Sequence, residues 1–183
     1  MTIFAGLNPP YSTIVADPPW RYEVTGRRNA TGKPTGVGYS TMSAAEIAAL
    51  PVAELAAEGA HLYLWTTNTL IFETDPAGIA KAWGFTYKTL LTWTKKGQPG
   101  LGSYFRGCTE HVLFCTRGKA PVPPERRQRN HFESLRTPHS AKPDVFMDLV
   151  EQVSPGPYVE LFARSPRLGW DSWGHGYESG VAS

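Results

Sequence analysis

The segment Asp17-Pro18-Pro19-Trp20 places a carboxylate, two prolines and a large aromatic side chain directly after a short apolar run, residues 13–16. The β-branched and apolar character of that run predicts a buried strand. Because neither proline donates a backbone hydrogen bond and each fixes its own φ, the chain leaves this strand as a stiff extended loop. Acceptor oxygens held beside an aromatic ring suit a flat heterocycle that carries an amino group. The alternative interpretation is a plain turn, since Asp and Pro are common turn residues.

The remaining candidate elements alternate along the chain. Apolar, β-branched and aromatic residues predict strands over residues 62–65, 86–94, 111–116 and 158–162. Capping patterns and amphipathic spacing predict helices over residues 43–50, 68–83 and 142–153. Strands that alternate with helices, without a linker or an internal repeat, predict one α/β domain over residues 1–183, with a mostly parallel sheet flanked by helices.

Several candidate site residues follow predicted strands: Asp17, Trp65, Trp93 and Arg164 lie at or just past strand ends. Ligands of open α/β sheets bind at the carboxyl ends of the strands, so this convergence favours a ligand site over a turn. The sequence contains no P-loop, HExxH, nucleophile elbow, CxxC pair or complete GxGxxG loop, and its five histidines have no metal-ligand spacing. The residues alone therefore predict an aromatic-lined pocket with one carboxylate and no metal, and they leave its cofactor open.

Charge leaves the class of partner open. A net charge of +2 permits nucleic-acid binding without requiring it, because the clustering of the charge decides. The densest basic cluster, Arg126, Arg127 and Arg129, lies in residues 117–130, which have no hydrophobic period. This segment is either a phosphate-contacting surface or a solvated loop. With residues 21–38 and 98–107, it is a candidate for recognising a target sequence.

Cysteine usage and hydropathy favour a cytoplasmic protein. Cys108 and Cys115 are seven positions apart, which argues against a zinc site or a disulfide framework and favours a reducing compartment. No apolar run has the length of a membrane span, and the N-terminus lacks the regions of a signal peptide. The expected location is the cytoplasm, or the host cytoplasm if a phage encodes the chain.

An ordered series of motifs resembles the MT-A70 family of adenine-N6 methyltransferases, in particular its phage and bacterial branch. The series covers nearly the whole chain in the expected order. Its members are residues 17–20 (DPPW), 39–43 (YSTMS), 62–65 (LYLW), 93–95 (WTK), 110–111 (EH), 139–144 (HSAKPD), 154–156 (SPG), 160–164 (ELFAR) and 170–174 (WDSWG). The resemblance implies a Rossmann-like class I methyltransferase fold with a permuted motif order. The DPPW strand comes first, and the strand that meets S-adenosylmethionine, residues 158–162, comes near the end.

The resemblance also implies an activity and its catalytic residues, Asp17, Pro18, Pro19 and Trp20. A methyl group would pass from S-adenosylmethionine to the N6 amino group of adenine, whose lone pair is delocalised into the ring. Asp17 and the Pro18 carbonyl would accept hydrogen bonds from the N6 hydrogens, which makes the nitrogen more nucleophilic. A base within a duplex would have to be flipped out of the stack.

Further site residues follow from the same resemblance. The substrate-binding residues are expected to be Tyr39, Trp93, Glu110 and Lys142. The basic cluster Arg126, Arg127 and Arg129, which follows from charge and not from the resemblance, is expected to contact the nucleic acid. Trp20, Tyr39 and Trp93 are candidates for stacking on the base, and the alternative for each is a place in the core, which is the less favoured one for Trp20 and Tyr39. The cofactor-binding residues are expected to be Asp17, Lys142, Glu160, Phe162, Arg164, His175 and Gly176. His175 and Gly176 depart from the family, which has Asn followed by Gln or Glu at those positions.

The expected substrate is DNA, because a compact catalytic domain without RNA-binding appendages resembles the phage and bacterial branch. RNA is the main alternative. A catalytically silent nucleic-acid-binding subunit is a second alternative, which the departure at His175 and Gly176 keeps open. Methylation of cytosine N4, an amine whose lone pair is likewise delocalised into the ring, is a third alternative. Assembly as a homodimer is left open.

Overall fold

A computed structural model describes residues 3–21, 41–100, 104–123, 128–137 and 141–174. Its strands are β1 (Tyr11–Ala16), β2 (Ala56–Thr66), β3 (Thr86–Lys96), β4 (Thr109–Arg117), β5 (His131–Leu135), β6 (Tyr158–Leu161) and β7 (Trp170–Trp173). Its helices are α1 (Ala44–Ala48), α2 (Leu70–Glu73), α3 (Pro76–Ala82) and α4 (Asp144–Val153), with a 3₁₀ turn at Val52–Glu54. None of the helices in these ranges has the length and apolar character needed to cross a bilayer.

The seven strands form one sheet in the order β5-β3-β4-β2-β1-β6-β7. β4 is antiparallel to β2 and β3, whereas the other four pairings are parallel. The predicted sheet, mostly parallel, Rossmann-like and flanked by helices, is therefore confirmed. All strands except β4 end at the same side of the sheet, which we call the carboxyl edge.

Alternating side chains of the central strands fill two cores, one on each face. In β1, Ile14 and Ala16 pack in the core beside α1 and α3, whereas Val15 packs in the core beside α4. In β2, Leu64 belongs to the first core and Trp65 to the second. Burial on both faces explains why these strands read as continuous apolar runs.

The predicted helix over residues 68–83 is wrong, because this segment forms two short helices, α2 and α3. Asp75 has φ 46° in the left-handed region, and its side chain accepts a hydrogen bond from Gly78 N at 3.0 Å. Asp75 thereby caps α3, and Pro76 occupies the first turn, where its missing N–H costs nothing. The predicted capping box of α1 is present, since the side chains of Ser43 and Glu46 bond each other's backbone N–H groups.

Sequence analysis did not predict two of the strands, β5 and β7. β5 was assigned to no element; in the structure it is an edge strand with one buried side chain, Phe132. β7 lies in an aromatic and glycine-rich tail and forms the opposite edge, with Trp170 its one fully buried residue. Edge strands bury few residues, so neither shows the apolar alternation on which strand prediction depends.

Candidate active site

A cavity of about 330 Å³ opens at the carboxyl edge, between the loop after β1, the start of α4 and the loop after β6. Five residues predicted to bind the cofactor line it together: Asp17, Lys142, Glu160, Phe162 and Arg164. They come from three separate segments of the chain. Their convergence is the main feature of the candidate site.

Backbone hydrogen bonds fix the loop that carries Asp17. Asp17 N donates to Leu161 O at 3.4 Å, and Trp20 N donates to Pro18 O at 2.8 Å. Pro19 O accepts from Met42 N at 2.8 Å. The two prolines restrict φ, and these bonds close the loop against β6 and residues 41–43, so the carboxylate occupies a defined position.

Lys142 joins two carboxylates at the rim of the cavity. Its Nζ lies 3.0 Å from Asp17 Oδ2 and 3.3 Å from Glu110 Oε2, and 4.6 Å from the centre of the Trp65 ring. Lys95 donates a hydrogen bond to the other oxygen of Glu110. The result is a chain of alternating charges from Asp17 to Lys95, with the ammonium of Lys142 seated on an indole face.

This chain of charges shifts the pKa values of Lys142 and Glu110 toward their ionised forms. Burial alone would lower the pKa of Lys142, but the carboxylates of Asp17 and Glu110 outweigh burial and raise that pKa. Burial alone would raise the pKa of Glu110, but Lys142 and Lys95 bring it below its usual value. At neutral pH, Lys142 is therefore a cation that holds Asp17 in place.

Glu160, unlike Glu110, binds its proton more tightly than a carboxyl group in water does. It lies in β6 opposite Val15, on the same face of the sheet as α4. Burial, followed by the charge of Asp17, raises the pKa of Glu160 to about 7, although Lys142 and Arg167 act in the opposite direction. A cationic ligand in the cavity would favour the ionised form of this carboxylate.

The loop after β6 forms the outer wall of the cavity in a constrained conformation. Phe162 has φ 65°, a left-handed geometry that is strained for a bulky side chain and that recurs at ligand sites. Ala163 N donates to Trp173 O at 3.0 Å. A Cβ on Gly174 would come within 2.3 Å of Ala163 O, so this close approach of backbone to backbone requires glycine.

Arg167 ties this loop to α4. Its guanidinium lies 3.6 Å from Asp144, 2.7 Å from Asp148 and 3.0 Å from Glu151, which follow one stripe of the helix. Trp170 Nε1 also donates to Glu151, at 2.8 Å. Sequence analysis missed Arg167 as a site residue. The acidic spacing i, i+4, i+7 along α4 is the signal that would have predicted a cationic partner.

Two of the three predicted stacking residues, Trp20 and Trp93, are buried. The side chain of Trp20 is 5% exposed, and its Nε1 donates to Trp65 O at 3.0 Å. Trp93 is 2% exposed, and its Nε1 donates to Ser134 Oγ at 2.8 Å. One ring lies in each of the two cores, which favours the alternative of a core role, and their stacking on a base stays a prediction. The other predicted stacking residue, Tyr39, lies outside the described residues.

The basic cluster is only partly described. Arg129 is exposed beside a groove between β5 and α4, separate from the cavity that contains Asp17. Arg126 and Arg127 lie outside the described residues, as do His175 and Gly176. Their predicted roles remain predictions.

The cavity residues fit S-adenosylmethionine by their chemistry. The cofactor has a cationic sulfonium and amine, a carboxylate, ribose hydroxyls and an adenine ring. Carboxylates on Asp17 and Glu160, cations on Lys142 and Arg164, and the aromatic ring of Phe162 complement those groups. The cavity volume also lies within the range of small-molecule sites, about 300–1,000 Å³.

A Rossmann-like sheet whose first strand ends in an acidic, proline-fixed loop at such a cavity defines a methyltransferase of class I. The chain belongs to the MT-A70 family, whose family model, described as MT-A70, matches residues 11–176.

Curated relatives agree with this family. The chain is 32% identical over 180 residues to the type II methyltransferase M.MunI of Mycoplasma sp, covering 90% of this chain and 76% of the relative. It is 31% identical over 183 residues to the N6-methyladenosine RNA methyltransferase MTA1 of Cryphonectria parasitica, covering 93% of this chain and 53% of the relative. It is 29% identical over 184 residues to the human N(6)-adenine-specific methyltransferase METTL4, covering 90% and 37%. The chain thus spans about half or less of the latter two relatives.

Proposed function

We propose that this chain transfers a methyl group from S-adenosylmethionine to the N6 amino group of adenine in DNA. The observation that carries the proposal is the fixed carboxylate of Asp17, held 3.0 Å from Lys142 at the mouth of the cavity that fits the cofactor. Two relatives, MTA1 and METTL4, are named for action at adenine N6.

Asp17 and Pro18 would activate the amine. Lys142 contacts Oδ2 of Asp17, which leaves Oδ1 to accept a hydrogen bond from N6. Pro18 O accepts one hydrogen bond from Trp20 N, and its second lone pair is available for the other N6 hydrogen. Two acceptors draw the nitrogen toward a tetrahedral geometry, in which its lone pair is no longer delocalised into the ring. The charge of Asp17 also stabilises the positive charge that develops on N6.

The bound cofactor would supply an electrophilic methyl group on a sulfonium sulfur. Lys142 and Arg164 are the residues to hold its carboxylate, and Glu160 is the residue to face its positive charge. Phe162 would pack against its adenosine. Because these residues are fixed by β6, α4 and the loop after β6, the protein contributes chiefly by positioning the two reactants.

DNA is preferred to RNA because one of the relatives, M.MunI, is a type II methyltransferase. Arg126, Arg127 and Arg129 are proposed to contact phosphates. The reaction is proposed to take place in the cytoplasm, where the free thiols of Cys108 and Cys115 stay reduced.

Nucleoside analysis after incubation with labelled S-adenosylmethionine tests the proposal. N6-methyladenine in DNA is the expected product; label in RNA alone or at cytosine N4 would reassign the substrate. A protein that transfers no label and does not bind the cofactor in calorimetry would be a silent subunit.

Asp17→Ala should abolish transfer and leave the fold intact, because Asp17 is a loop residue and Lys142 keeps Glu110 as a partner. Thermal melting and transfer are measured on the same preparation. Glu58→Gln, an exposed carboxylate at the opposite end of β2, is the matched control. Turnover like that of the wild type in Asp17→Ala would overturn the mechanism.

A further inference from the structure

The connection between β3 and β4 exposes two adjacent aromatic side chains. Tyr104 is 96% exposed and Phe105 is 92% exposed. Neither contributes to the two cores. Scattered single apolar residues are ordinary on protein surfaces, whereas two almost fully exposed aromatic side chains at consecutive positions are a feature that a binding role would explain.

Hydrogen bonds join the two described ends of this connection. Lys95 N donates to Cys108 O at 2.7 Å, and Gly100 N donates to Gly107 O at 2.7 Å. Arg106 donates from Nε to Gly100 O at 3.0 Å and from its NH2 group to Pro99 O at 3.1 Å. The aromatic pair is therefore presented by a loop whose base is fixed, which reduces the entropy lost on binding.

The loop leaves the sheet at the carboxyl edge, where the candidate active site lies. β3 ends and β4 begins there, and Glu110 near the start of β4 contacts Lys142, which contacts Asp17. Glu110 lies five positions after Phe105, a span of about 17 Å at most. The aromatic pair therefore lies within a few nucleotides of a base held at Asp17.

The surroundings of the pair are cationic. Arg106 follows it directly and is exposed, and Arg136, also exposed, follows the end of β5 at the same edge. Aromatic rings beside arginines match a nucleic acid, which offers flat bases next to phosphates.

We propose that Tyr104 and Phe105 stack on bases next to the target adenine and fill the space that the target leaves in the helix. This inference rests on the proposed function and concerns the neighbouring bases, a role different from stacking on the target base itself. A base that reacts at Asp17 has to leave the duplex, and its departure exposes the faces of its neighbours. Aromatic side chains at the groove stabilise such unstacked steps.

The test compares the double variant Tyr104→Ala/Phe105→Ala with wild type and with Tyr87→Ala. Tyr87 is a half-exposed aromatic residue at the other end of β3, away from the carboxyl edge, and serves as the matched control. Binding is measured by anisotropy with fluorescein-labelled, mixed-sequence DNA as a single strand and as a duplex. We expect the double variant to bind the single strand at least about tenfold more weakly, the loss corresponding to one or two base stacks. Tyr87→Ala should bind like wild type.

Activity and oligomeric state complete the test. On duplex DNA that wild type methylates, the double variant should lose at least about tenfold in kcat/KM, and part of this loss should be recovered when the target adenine is left unpaired. Equal binding and equal activity of wild type and double variant would overturn the inference. Light scattering that shows a dimer in wild type and a monomer in the variant, with DNA binding unchanged, would overturn it in favour of a protein interface. If wild type methylates no adenine, the proposed function fails, while the binding comparison still decides the role of the pair.

Discussion

Lys142→Met tests whether the ammonium of Lys142 organises the site. Methionine keeps an unbranched side chain that can remain on the Trp65 ring, so the substitution removes mainly the charge. The three ionised side chains are largely buried, with exposed fractions of 12% for Lys142, 16% for Asp17 and 18% for Glu110. Without Lys142, the carboxylate of Asp17 loses its cationic neighbour and faces Glu160 across the cavity.

The expected loss of stability follows from these distances. Two unit charges 3.0 Å apart, the distance from Nζ to Asp17 Oδ2, attract by about 5 kcal/mol at an effective dielectric constant of about 20. Desolvation offsets part of this attraction, and removal of one partner from a buried pair costs about 3–5 kcal/mol. Glu110 keeps Lys95 as a second cation. We therefore expect the free energy of unfolding to fall by about 3 kcal/mol near neutral pH.

The loss of stability in Lys142→Met should depend on pH in one direction. Lys142 contributes to lowering the pKa of Glu110 in the folded protein, so the stabilisation is present above the usual carboxyl pKa and is lost as the pH falls through the lowered value. The difference in stability between wild type and variant should be largest near pH 7 and should shrink below about pH 4.

Urea unfolding near pH 7 and below about pH 4 measures the difference in stability between wild type and Lys142→Met. Lys81→Met, which removes an exposed lysine from α3, is the control and should change stability by less than about 0.5 kcal/mol. A Lys142→Met variant as stable as this control near pH 7, or one whose deficit grows in acid, would refute the reasoning.

Two further predictions concern the cavity wall. Glu160 binds its proton more tightly when folded, since its pKa is raised to about 7, so wild type should lose stability as the pH rises from about 4.5 to 7. In urea unfolding, the free energy of unfolding of Glu160→Gln should exceed that of wild type by on the order of 3 kcal/mol near pH 8 and should equal it near pH 4. Equal gains at both pH values would contradict this prediction. Arg167→Gln releases the loop after β6 from α4, so calorimetry should show S-adenosylmethionine binding about tenfold more weakly; unchanged affinity would exclude a positioning role for Arg167.

The sequence by itself determined the local features of this protein. Short continuous apolar runs predicted β1 and β2, the capping box predicted α1, and two consecutive prolines implied a stiff loop after Asp17. These features depend on neighbours within a few residues, which is why they can be recognised before the fold is known. The ordered motifs added the family and five residues that line one cavity.

Only the tertiary structure decided which side chains meet and which are buried. Lys142 contacts Asp17 and Glu110 because α4 packs beside the carboxyl edge, and neither contact has a local signal in the chain. The sequence made Trp20 and Trp93 candidates for stacking on a base, whereas in the structure both side chains are buried in the two cores. Exposure is the outcome of all the long-range packing around a side chain. The exposure of Tyr104 and Phe105, in a segment that the sequence marked only as a candidate for target recognition, was likewise decided by the tertiary structure.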